Sequence, residues 1–313
     1  MGIRVWLPYH SLEKAEAALG PLPEGIDADF FLADGDVPDS VGEVEFYVAP
    51  YMYRAEDAMA FADQMASLKY VQIQSAGFDD FLPLMPPGVK LLNAAGVHDA
   101  ATAEMAVSLA LTANRFLDRY ARNMSQGLWK ADFAVSLADR HCLIVGYGHI
   151  GKAIAARLAG FEVSSVTAVA SRARDEDGVY VHGFEELADL LPAAEVVFLS
   201  CPLTPQTEGL FSAELIAAMK PGALLVNVAR GKVVDTDALL AALLDGRIRA
   251  ALDVTEPEPL PPDHPLWHAP SVYITPHCGG QADSFYPRSR KLIAEQLRRL
   301  AAGEPLLNQV AEG

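Results

Sequence analysis

Cysteine is scarce in this sequence. The 313 residues include three cysteines, Cys142, Cys201 and Cys278, and no two of them form a C-x-x-C pair. An odd and scattered set of cysteines argues against a disulfide framework and indicates free thiols in a reducing compartment. The cysteines and histidines also lack the paired spacing of a zinc site, so we expect no metal centre.

Positive charge is also in short supply. The sequence has 24 lysine and arginine residues against 41 aspartate and glutamate residues, which gives a formal net charge of −17. Such a surface repels nucleic acid backbones and anionic lipids, so we expect neither nucleic acid nor membrane as a partner. It also repels anionic small molecules at long range. An anionic substrate therefore needs arginine side chains or backbone N–H groups at its binding site.

Long apolar runs and targeting signals are missing as well. Hydrophobic residues make up 51% of the sequence, but no uninterrupted apolar stretch reaches transmembrane length. The first residues lack the basic and apolar regions of a signal peptide. Trp6 stands where a myristoylation signal requires serine or threonine. We therefore expect a globular protein with a large core, located in the cytoplasm.

Two series of alternating strand-like and helix-like segments fill the sequence. This alternation predicts an α/β fold in which helices cover parallel sheets. The strand candidates lie at residues 3–7, 29–32, 45–49, 70–74, 90–93, 142–145, 165–170, 196–200, 224–228, 250–254 and 272–275. The helix candidates lie at residues 11–19, 55–67, 150–158, 213–219, 237–244 and 285–302. Between the two series, an apolar run at 100–117 without glycine or proline predicts a buried helix that connects two domains.

A glycine-rich turn, GYGHIG, follows the strand candidate at 142–145 and opens a helix. In this strand–turn–helix setting the G-x-G-x-x-G spacing indicates a dinucleotide site, although an ordinary glycine-rich turn has the same appearance. The pyrophosphate is expected at the helix N-terminus, where unpaired N–H groups and the helix dipole favour anions. The predicted cofactor contacts of this turn are Gly146, Gly148, His149, Ile150 and Gly151.

The next strand candidate determines which dinucleotide is expected. It ends at residue 170 and is followed by Ser171, Arg172 and Arg174, with no acidic residue at its tip. An acid there would bind the ribose 2′-hydroxyl of NAD, whereas arginine accommodates the 2′-phosphate of NADP. The sequence therefore favours NADP(H), with NAD(H) as the alternative. A solvated basic turn that merely permits NADP is the competing interpretation.

Four more motifs follow in order: CPLTPQTEGL from Cys201, NVARGKVVDTDAL from Asn227, ALDVTEPEPLP from Ala251 and TPHCGG from Thr275. With these motifs and GYGHIG, most of the sequence resembles the D-isomer-specific 2-hydroxyacid dehydrogenase family. Within that family, the SRAR segment at 171–174 is most similar to glyoxylate and hydroxypyruvate reductases.

The resemblance implies an architecture of two doubly wound parallel-sheet domains with a cleft between them. Residues 1–98 and 281–313 would form a flavodoxin-like substrate domain, and residues 99–280 a Rossmann domain that binds NAD(P). The active site would lie in the cleft. The family also implies a homodimer formed through the region 100–129.

The resemblance further implies a catalytic set of Arg230, Glu258 and His277. A guanidinium at Arg230 can grip the carboxylate and carbonyl oxygen of the substrate. His277 would donate the proton that a keto reduction adds to oxygen, because histidine ordinarily exchanges a proton near neutral pH. Glu258 would favour the imidazolium and fix the ring orientation. The competing interpretations are a surface ion pair, a solvated acid and a buried structural histidine.

Further contacts come from the same resemblance. The remaining predicted cofactor contacts are Cys201, Pro202, Thr207, Ala229, Asp253 and Gly279. The predicted substrate contacts are Ser75, Ala76 and Gly77, together with Arg230 and His277. Backbone N–H groups of Ala76 and Gly77 would bind the substrate carboxylate, although a plain tight turn is the alternative there.

These features predict the NAD(P)H-dependent reduction of a small anionic 2-keto acid, similar to glyoxylate or hydroxypyruvate, to the D-2-hydroxy acid. Two alternatives stay open. One is a non-catalytic dinucleotide-sensing interaction protein, against which the complete Arg–Glu–His set argues. The other is a family member that acts on phosphite or formate, although the short chain and Glu258 favour keto acids over formate.

Overall fold

The structure is a computed structural model that describes residues 2–313. The described chain divides into two compact units. The first unit contains the residues up to His98 together with Asp283–Gly313, and the second unit is Asp99–Ala282. The chain thus passes from the first unit to the second after residue 98 and returns after residue 282. The boundaries predicted from the sequence are after residues 98 and 280.

Short strands and helices alternate through both units. The strands are β1 (Ile3–Leu7), β2 (Ile26–Phe30), β3 (Phe46–Val48), β4 (Tyr70–Gln72), β5 (Lys90–Leu92), β6 (His141–Val145), β7 (Ser165–Ala170), β8 (Arg174–Glu176), β9 (Val179–Gly183), β10 (Val196–Leu199), β11 (Leu224–Asn227), β12 (Arg249–Leu252), β13 (Val272–Ile274) and β14 (Gln309–Glu312). The helices are α1 (Leu12–Leu19), α2 (Ala55–Ala58), α3 (Asp99–Arg115), α4 (Leu117–Ser125), α5 (His149–Leu158), α6 (Leu187–Leu190), α7 (Ala213–Ala218), α8 (Thr236–Leu244) and α9 (Phe285–Ala302). None of the helices within residues 2–313 is long and apolar enough to cross a membrane.

The sheet of the first unit has the strand order β14-β5-β4-β3-β1-β2. Strands β1 to β5 pair in parallel, and β14 pairs antiparallel with β5. Both faces are covered, as the alternation along β1 shows: Trp6 packs into one apolar cluster, whereas Val5 and Leu7 pack into another with Ile293 of α9. The order 2-1-3-4-5 is that of a doubly wound, flavodoxin-like sheet.

The sheet of the second unit has the order β13-β12-β11-β10-β6-β7-β9-β8. Its strands pair in parallel, apart from the antiparallel pair β8 and β9. The chain winds from β6 to one side through β7 and to the other side through β10, so the switch point lies between β6 and β10. In such sheets ligands bind outside the carboxyl ends of the strands at the switch point. The prediction of two doubly wound α/β sheets is confirmed.

Apart from Asn227 at the end of β11, the residues of β10 and β11 are apolar, and these central strands formed where the sequence predicts them. All residues of β10 and β11 are buried, as expected for parallel strands with helices on both faces. The predicted connecting helix at 100–117 is interrupted, since Phe116 adopts a left-handed conformation with φ 57° and separates α3 from α4.

Three local predictions were wrong. The strand expected at 29–32 is Ile26–Phe30, because β2 pairs along the whole of β1, from Ile3 opposite Ile26. The helix expected at 55–67 is the short α2 followed by a 3-10 turn at Ala62–Gln64. There, burial of Met59 and Met65 in the core overrides the helical periodicity. The hairpin of β8 and β9 and the edge strand β14 were missed.

Candidate active site

The predicted catalytic and cofactor residues of the second unit lie at one edge of its sheet. Strands β6, β10, β11, β12 and β13 run parallel to one another, so their carboxyl ends share an edge. The GYGHIG turn follows β6, Cys201 follows β10 and Arg230 follows β11. Glu258 comes after β12 and His277 after β13. This is the edge at which parallel sheets bind their ligands.

The GYGHIG turn contains two glycines that the surrounding backbone requires. Gly146 has φ 103°, and a side chain there would overlap the backbone of Cys201. Ser200 Oγ donates to the carbonyl oxygen of Gly146 at 2.8 Å, so the turns after β6 and β10 touch at the switch point. A side chain at Gly151 would overlap the carbonyl oxygen of Gly146 and lie 3.2 Å from Ile144 Cγ2. Helix α5 therefore packs directly onto its own turn.

Gly148 differs from these two glycines because the space that a side chain would occupy there is empty. A Cβ built on Gly148 meets no described atom within 4 Å. Gly148 is the N-cap of α5, and no side chain caps the helix or places an acid in its first turn. The helix thus presents uncapped N–H groups and the positive end of its dipole beside the open space at Gly148. These features fit the pyrophosphate of a dinucleotide.

The two glycines give a matched pair of substitutions. We expect Gly151→Ala to lower the free energy of unfolding by about 1–3 kcal/mol, because the added methyl overpacks the protein itself. We expect Gly148→Ala to leave thermal unfolding unchanged but to weaken NADPH binding roughly 10- to 100-fold, because its methyl occupies the cofactor's place. Thermal unfolding and NADPH fluorescence titration measure the two effects. Equal effects of both variants on unfolding would contradict this assignment of Gly148.

The loop after β10 is held by its own polar groups. Thr207 is buried, and its hydroxyl donates to the Pro202 carbonyl at 2.6 Å and accepts from the Thr204 N–H at 2.8 Å. Cys201 is also buried, and this burial raises the pKa of its thiol to about 12. The thiol is therefore a packing group beside the glycine turn. Ala229 lies at the end of the neighbouring strand and donates its N–H to Asn227 Oδ1 at 3.0 Å.

The predicted 2′-phosphate site has a different backbone from the one expected. Ser171 and Arg172 are exposed residues of a turn, as predicted, but Arg174 begins strand β8. The Arg174 guanidinium is also paired with a carboxylate, Glu176, although it remains partly exposed. The sequence carried a signal for this hairpin, because Asp177-Gly178 is a typical two-residue hairpin turn.

Asp253 has a role that the sequence analysis missed. Its buried carboxylate accepts hydrogen bonds from Thr275 Oγ1 at 2.6 Å, from the Cys278 N–H at 3.0 Å and from the Gly279 N–H at 2.8 Å. Its carbonyl oxygen accepts from the His277 N–H at 2.8 Å. Asp253 thus fastens the end of β12 to the loop after β13, and only the folded structure brings these groups together.

His277 and Glu258 are brought into direct contact. His277 Nδ1 and Glu258 Oε1 form a hydrogen bond. With Glu258 ionised, Nδ1 must carry the hydrogen of this bond, which leaves Nε2 as the ring nitrogen that can exchange a proton with a substrate. His277 has φ 49°, a left-handed conformation that is uncommon for residues other than glycine and is often found at functional sites. The loop bonds to Asp253 hold it there.

Arg230 follows β11 at the same edge. Its carbonyl oxygen accepts from Asn227 Nδ2 at 3.0 Å, and its guanidinium donates to the Ala229 carbonyl at 2.9 Å. A side chain at the next residue, Gly231, would overlap the Thr255 carbonyl. The backbone at Arg230 therefore packs against the segment that leads to Glu258.

The predicted substrate loop lies in the first unit, after β4. Its carbonyl groups are used internally: Ser75 Oγ donates to the Gly77 carbonyl at 2.8 Å, and Asn93 Nδ2 donates to the Ala76 carbonyl at 2.7 Å. By contrast, no hydrogen bond within residues 2–313 uses the N–H of Ala76 or Gly77 as donor. These N–H groups are suited to bind an anion.

Comparison with known proteins gives consistent matches. Residues 107–279 match the family described as D-isomer specific 2-hydroxyacid dehydrogenase, NAD binding domain. A Mus musculus protein named glyoxylate reductase/hydroxypyruvate reductase is 36% identical over 256 residues, which cover 78% of this chain and 77% of the mouse protein.

Two solved structures resemble the whole chain. One is a D-isomer specific 2-hydroxyacid dehydrogenase from Xanthobacter autotrophicus Py2 in complex with NADPH and MES. It has a TM-score of 0.78 and 32% identity, and covers 99% of this chain and 98% of its own. The other is an NADPH-dependent glyoxylate/hydroxypyruvate reductase from Sinorhizobium meliloti in complex with NADP and sulfate. It has a TM-score of 0.79 and 26% identity, with the same coverage of 99% and 98%.

Proposed function

This chain belongs to the D-isomer specific 2-hydroxyacid dehydrogenase family, and we propose that it reduces a small 2-keto acid of the glyoxylate or hydroxypyruvate kind to the D-2-hydroxy acid with NADPH. The predicted family resemblance and the NAD(P)-dependent oxidoreductase class are confirmed. The observation that carries the proposal is the His277–Glu258 contact at the same sheet edge as the dinucleotide turn.

The proposed mechanism assigns one task to each side chain. Arg230 holds the carboxylate and the carbonyl oxygen of the keto acid, which polarises the carbonyl group. NADPH, when bound, supplies the hydride that adds to the carbonyl carbon. His277 gives a proton from Nε2 to the carbonyl oxygen and becomes neutral. Glu258 keeps its hydrogen bond to Nδ1 throughout, so the ring stays oriented toward the substrate.

We propose that the N–H groups of Ala76 and Gly77 bind the substrate carboxylate. Their lack of partners within the described residues supports this assignment. A chain with net charge −17 also needs such local donors to bind an anion.

The preference for NADPH is a further part of the proposal. Ser171, Arg172 and Arg174 follow β7, and no acidic residue stands at its tip to bind a ribose 2′-hydroxyl. The two structural relatives described above were solved with NADPH or NADP. Cationic and hydroxyl groups at this position suit a 2′-phosphate.

We also propose a homodimer and a cytoplasmic location. Trp129 and Phe133 are fully exposed, which is unusual for large apolar side chains outside an interface. The thiols of Cys142, Cys201 and Cys278 are free, as expected in a reducing compartment. Analytical ultracentrifugation should give twice the mass of one chain, and the double variant Trp129→Ser/Phe133→Ser should give a monomer. A wild-type monomer would contradict the dimer.

The first test follows the loss of NADPH or NADH absorbance with glyoxylate, hydroxypyruvate, pyruvate and phenylpyruvate. We expect turnover of at least one small keto acid, with a higher kcat/KM for NADPH than for NADH. The His277→Asn variant, purified in the same way, controls for a contaminating reductase. A preference for NADH would overturn the cofactor assignment but keep the reaction.

The alternatives predict different results in the same assay. Tight NADPH binding without turnover of any keto acid would favour a dinucleotide-sensing protein. Reduction of NADP⁺ by phosphite or formate would favour the hypothesis of a family member that acts on one of these two acids. The named relatives favour keto acid reduction over both.

A further inference from the structure

Three charged side chains form a connected group beside the glycine turn, which we call the Glu176 cluster. Glu176 Oε1 accepts from Lys152 Nζ at 2.6 Å. Glu176 Oε2 accepts from Arg174 Nε at 2.9 Å and from Arg174 NH2 at 2.6 Å. Both carboxylate oxygens are thus engaged by cations. The three side chains are each partly exposed, so the cluster stays accessible to a ligand.

The hairpin of β8 and β9 creates this arrangement. Asp177 and Gly178 connect the strands with φ values of 53° and 81°, as a two-residue type I′ turn requires. Arg174 and Glu176 stand two positions apart on β8, so their side chains project from the same face. Lys152 comes from the first turn of α5. The cluster therefore joins the hairpin to the helix whose N-terminus fits the pyrophosphate.

Arg174 also contacts the glycine turn directly. Its NH2 donates to the Tyr147 carbonyl at 3.3 Å, and its NH1 lies 3.4 Å from the Arg172 carbonyl. Glu176 occupies the Nε edge of the guanidinium. Because a guanidinium is planar and rigid, fixing the edge formed by Nε and NH2 determines where NH1 points.

The charges of the cluster leave a positive balance. Lys152 and Arg174 carry two positive charges against one on Glu176. Asp177 approaches Lys152 at 3.5 Å but is highly exposed, so solvent screens it. Hydrogen bonds from Lys152 and Arg174 lower the pKa of the Glu176 carboxyl below its usual range. The carboxylate therefore stays ionised at neutral pH and keeps both partners.

We propose that Glu176 is a positioning residue that sets the preference for NADPH: it holds Arg174 against the glycine turn, where the guanidinium meets the 2′-phosphate, while Lys152 anchors Glu176 from α5. This inference rests on the proposed use of NADPH but not on the identity of the keto acid. A different role for Glu176 predicts the opposite effect on NADPH binding. A carboxylate that only neutralises the charge of Arg174 would weaken the attraction for a 2′-phosphate, so removing it would lower the Kd for NADPH.

The test measures binding of NADPH and of NADH to the full chain by nicotinamide fluorescence, without keto acid. Glu176→Gln should raise the Kd for NADPH roughly tenfold, as expected for one mispositioned charge-assisted contact. The Kd for NADH should stay within about twofold, because NADH lacks the 2′-phosphate. Glu214→Gln is the matched control, since it removes one exposed acid from the same unit without touching the cluster.

A double-mutant cycle separates positioning from general damage. Arg174→Gln alone should weaken NADPH binding, and adding Glu176→Gln to it should cause no further loss. An unchanged or lower Kd for NADPH in Glu176→Gln would overturn the inference, as would equal losses for NADPH and NADH. If the wild-type chain binds both cofactors equally, the NADPH assignment itself fails and there is no preference for Glu176 to set. Absence of turnover alone would leave these binding results, and the inference, standing.

Discussion

Replacing His277 with asparagine is expected to lower kcat for keto acid reduction by about 10²–10⁴-fold, the usual contribution of a positioned general acid. Asparagine is the suitable replacement because it tolerates the left-handed conformation at φ 49° better than most residues. The N–H groups of the amide are far too weakly acidic to transfer a proton to the substrate oxygen. The Kd for NADPH should stay within about twofold, because the glycine turn and α5 are untouched. Steady-state kinetics and fluorescence titration measure the two quantities.

The control for this substitution is Glu258→Gln. It removes the carboxylate that accepts from His277 Nδ1 but leaves the imidazole in place, so we expect an intermediate loss in kcat. Thermal unfolding should be similar for the wild type and both variants, because both side chains are substantially exposed. Undiminished turnover in His277→Asn would remove His277 from the mechanism and, with it, the proposed proton transfer.

Replacing Arg230 with glutamine is expected to lower kcat/KM by about 10²–10³-fold, as found when one donor to a developing oxyanion is removed. The effect should be large in this protein because its net charge of −17 repels a keto acid everywhere except at local cationic groups. Arg230→Lys should recover only part of the activity. An ammonium group keeps the charge but cannot form the paired hydrogen bonds of a guanidinium.

Arg54→Gln is the matched control for charge, since Arg54 is an exposed arginine of the first unit that pairs with Glu56. It should leave kcat/KM within about twofold of the wild type. A similar loss in Arg54→Gln and Arg230→Gln would mean that total charge, rather than a contact at the sheet edge, governs substrate capture. Full activity of Arg230→Gln would contradict the mechanism directly.

The parts of the fold that the sequence predicted are those determined by local pattern. Apart from Asn227 at the end of β11, strands β10 and β11 are apolar runs, the pattern of parallel strands that are buried on both faces. The GYGHIG turn carried its own strand and helix context. Arg230, Glu258 and His277 are predicted as catalytic residues from the family's motifs. The contact between His277 and Glu258 is consistent with that expectation.

The parts that escaped prediction depend on register and on distant partners. Strand β2 was misplaced because its position is fixed by pairing with β1. The pairing of Arg174 with Glu176 requires the hairpin that Asp177 and Gly178 form. The bonds of Asp253 involve residues that come together only when β12 and β13 pair.

The way in which Asp253 fastens the loop bearing His277 determines which positions an engineer can vary. The bond from residue 278 comes from a backbone N–H, which every amino acid except proline possesses. Serine or alanine could therefore stand at Cys278 without releasing the loop. Gly279 does not tolerate substitution in the same way, because a Cβ there would lie 2.8 Å from Asp253 Oδ2. In a library built around this loop, diversity belongs at 278, whereas 253, 275 and 279 are best left as they are.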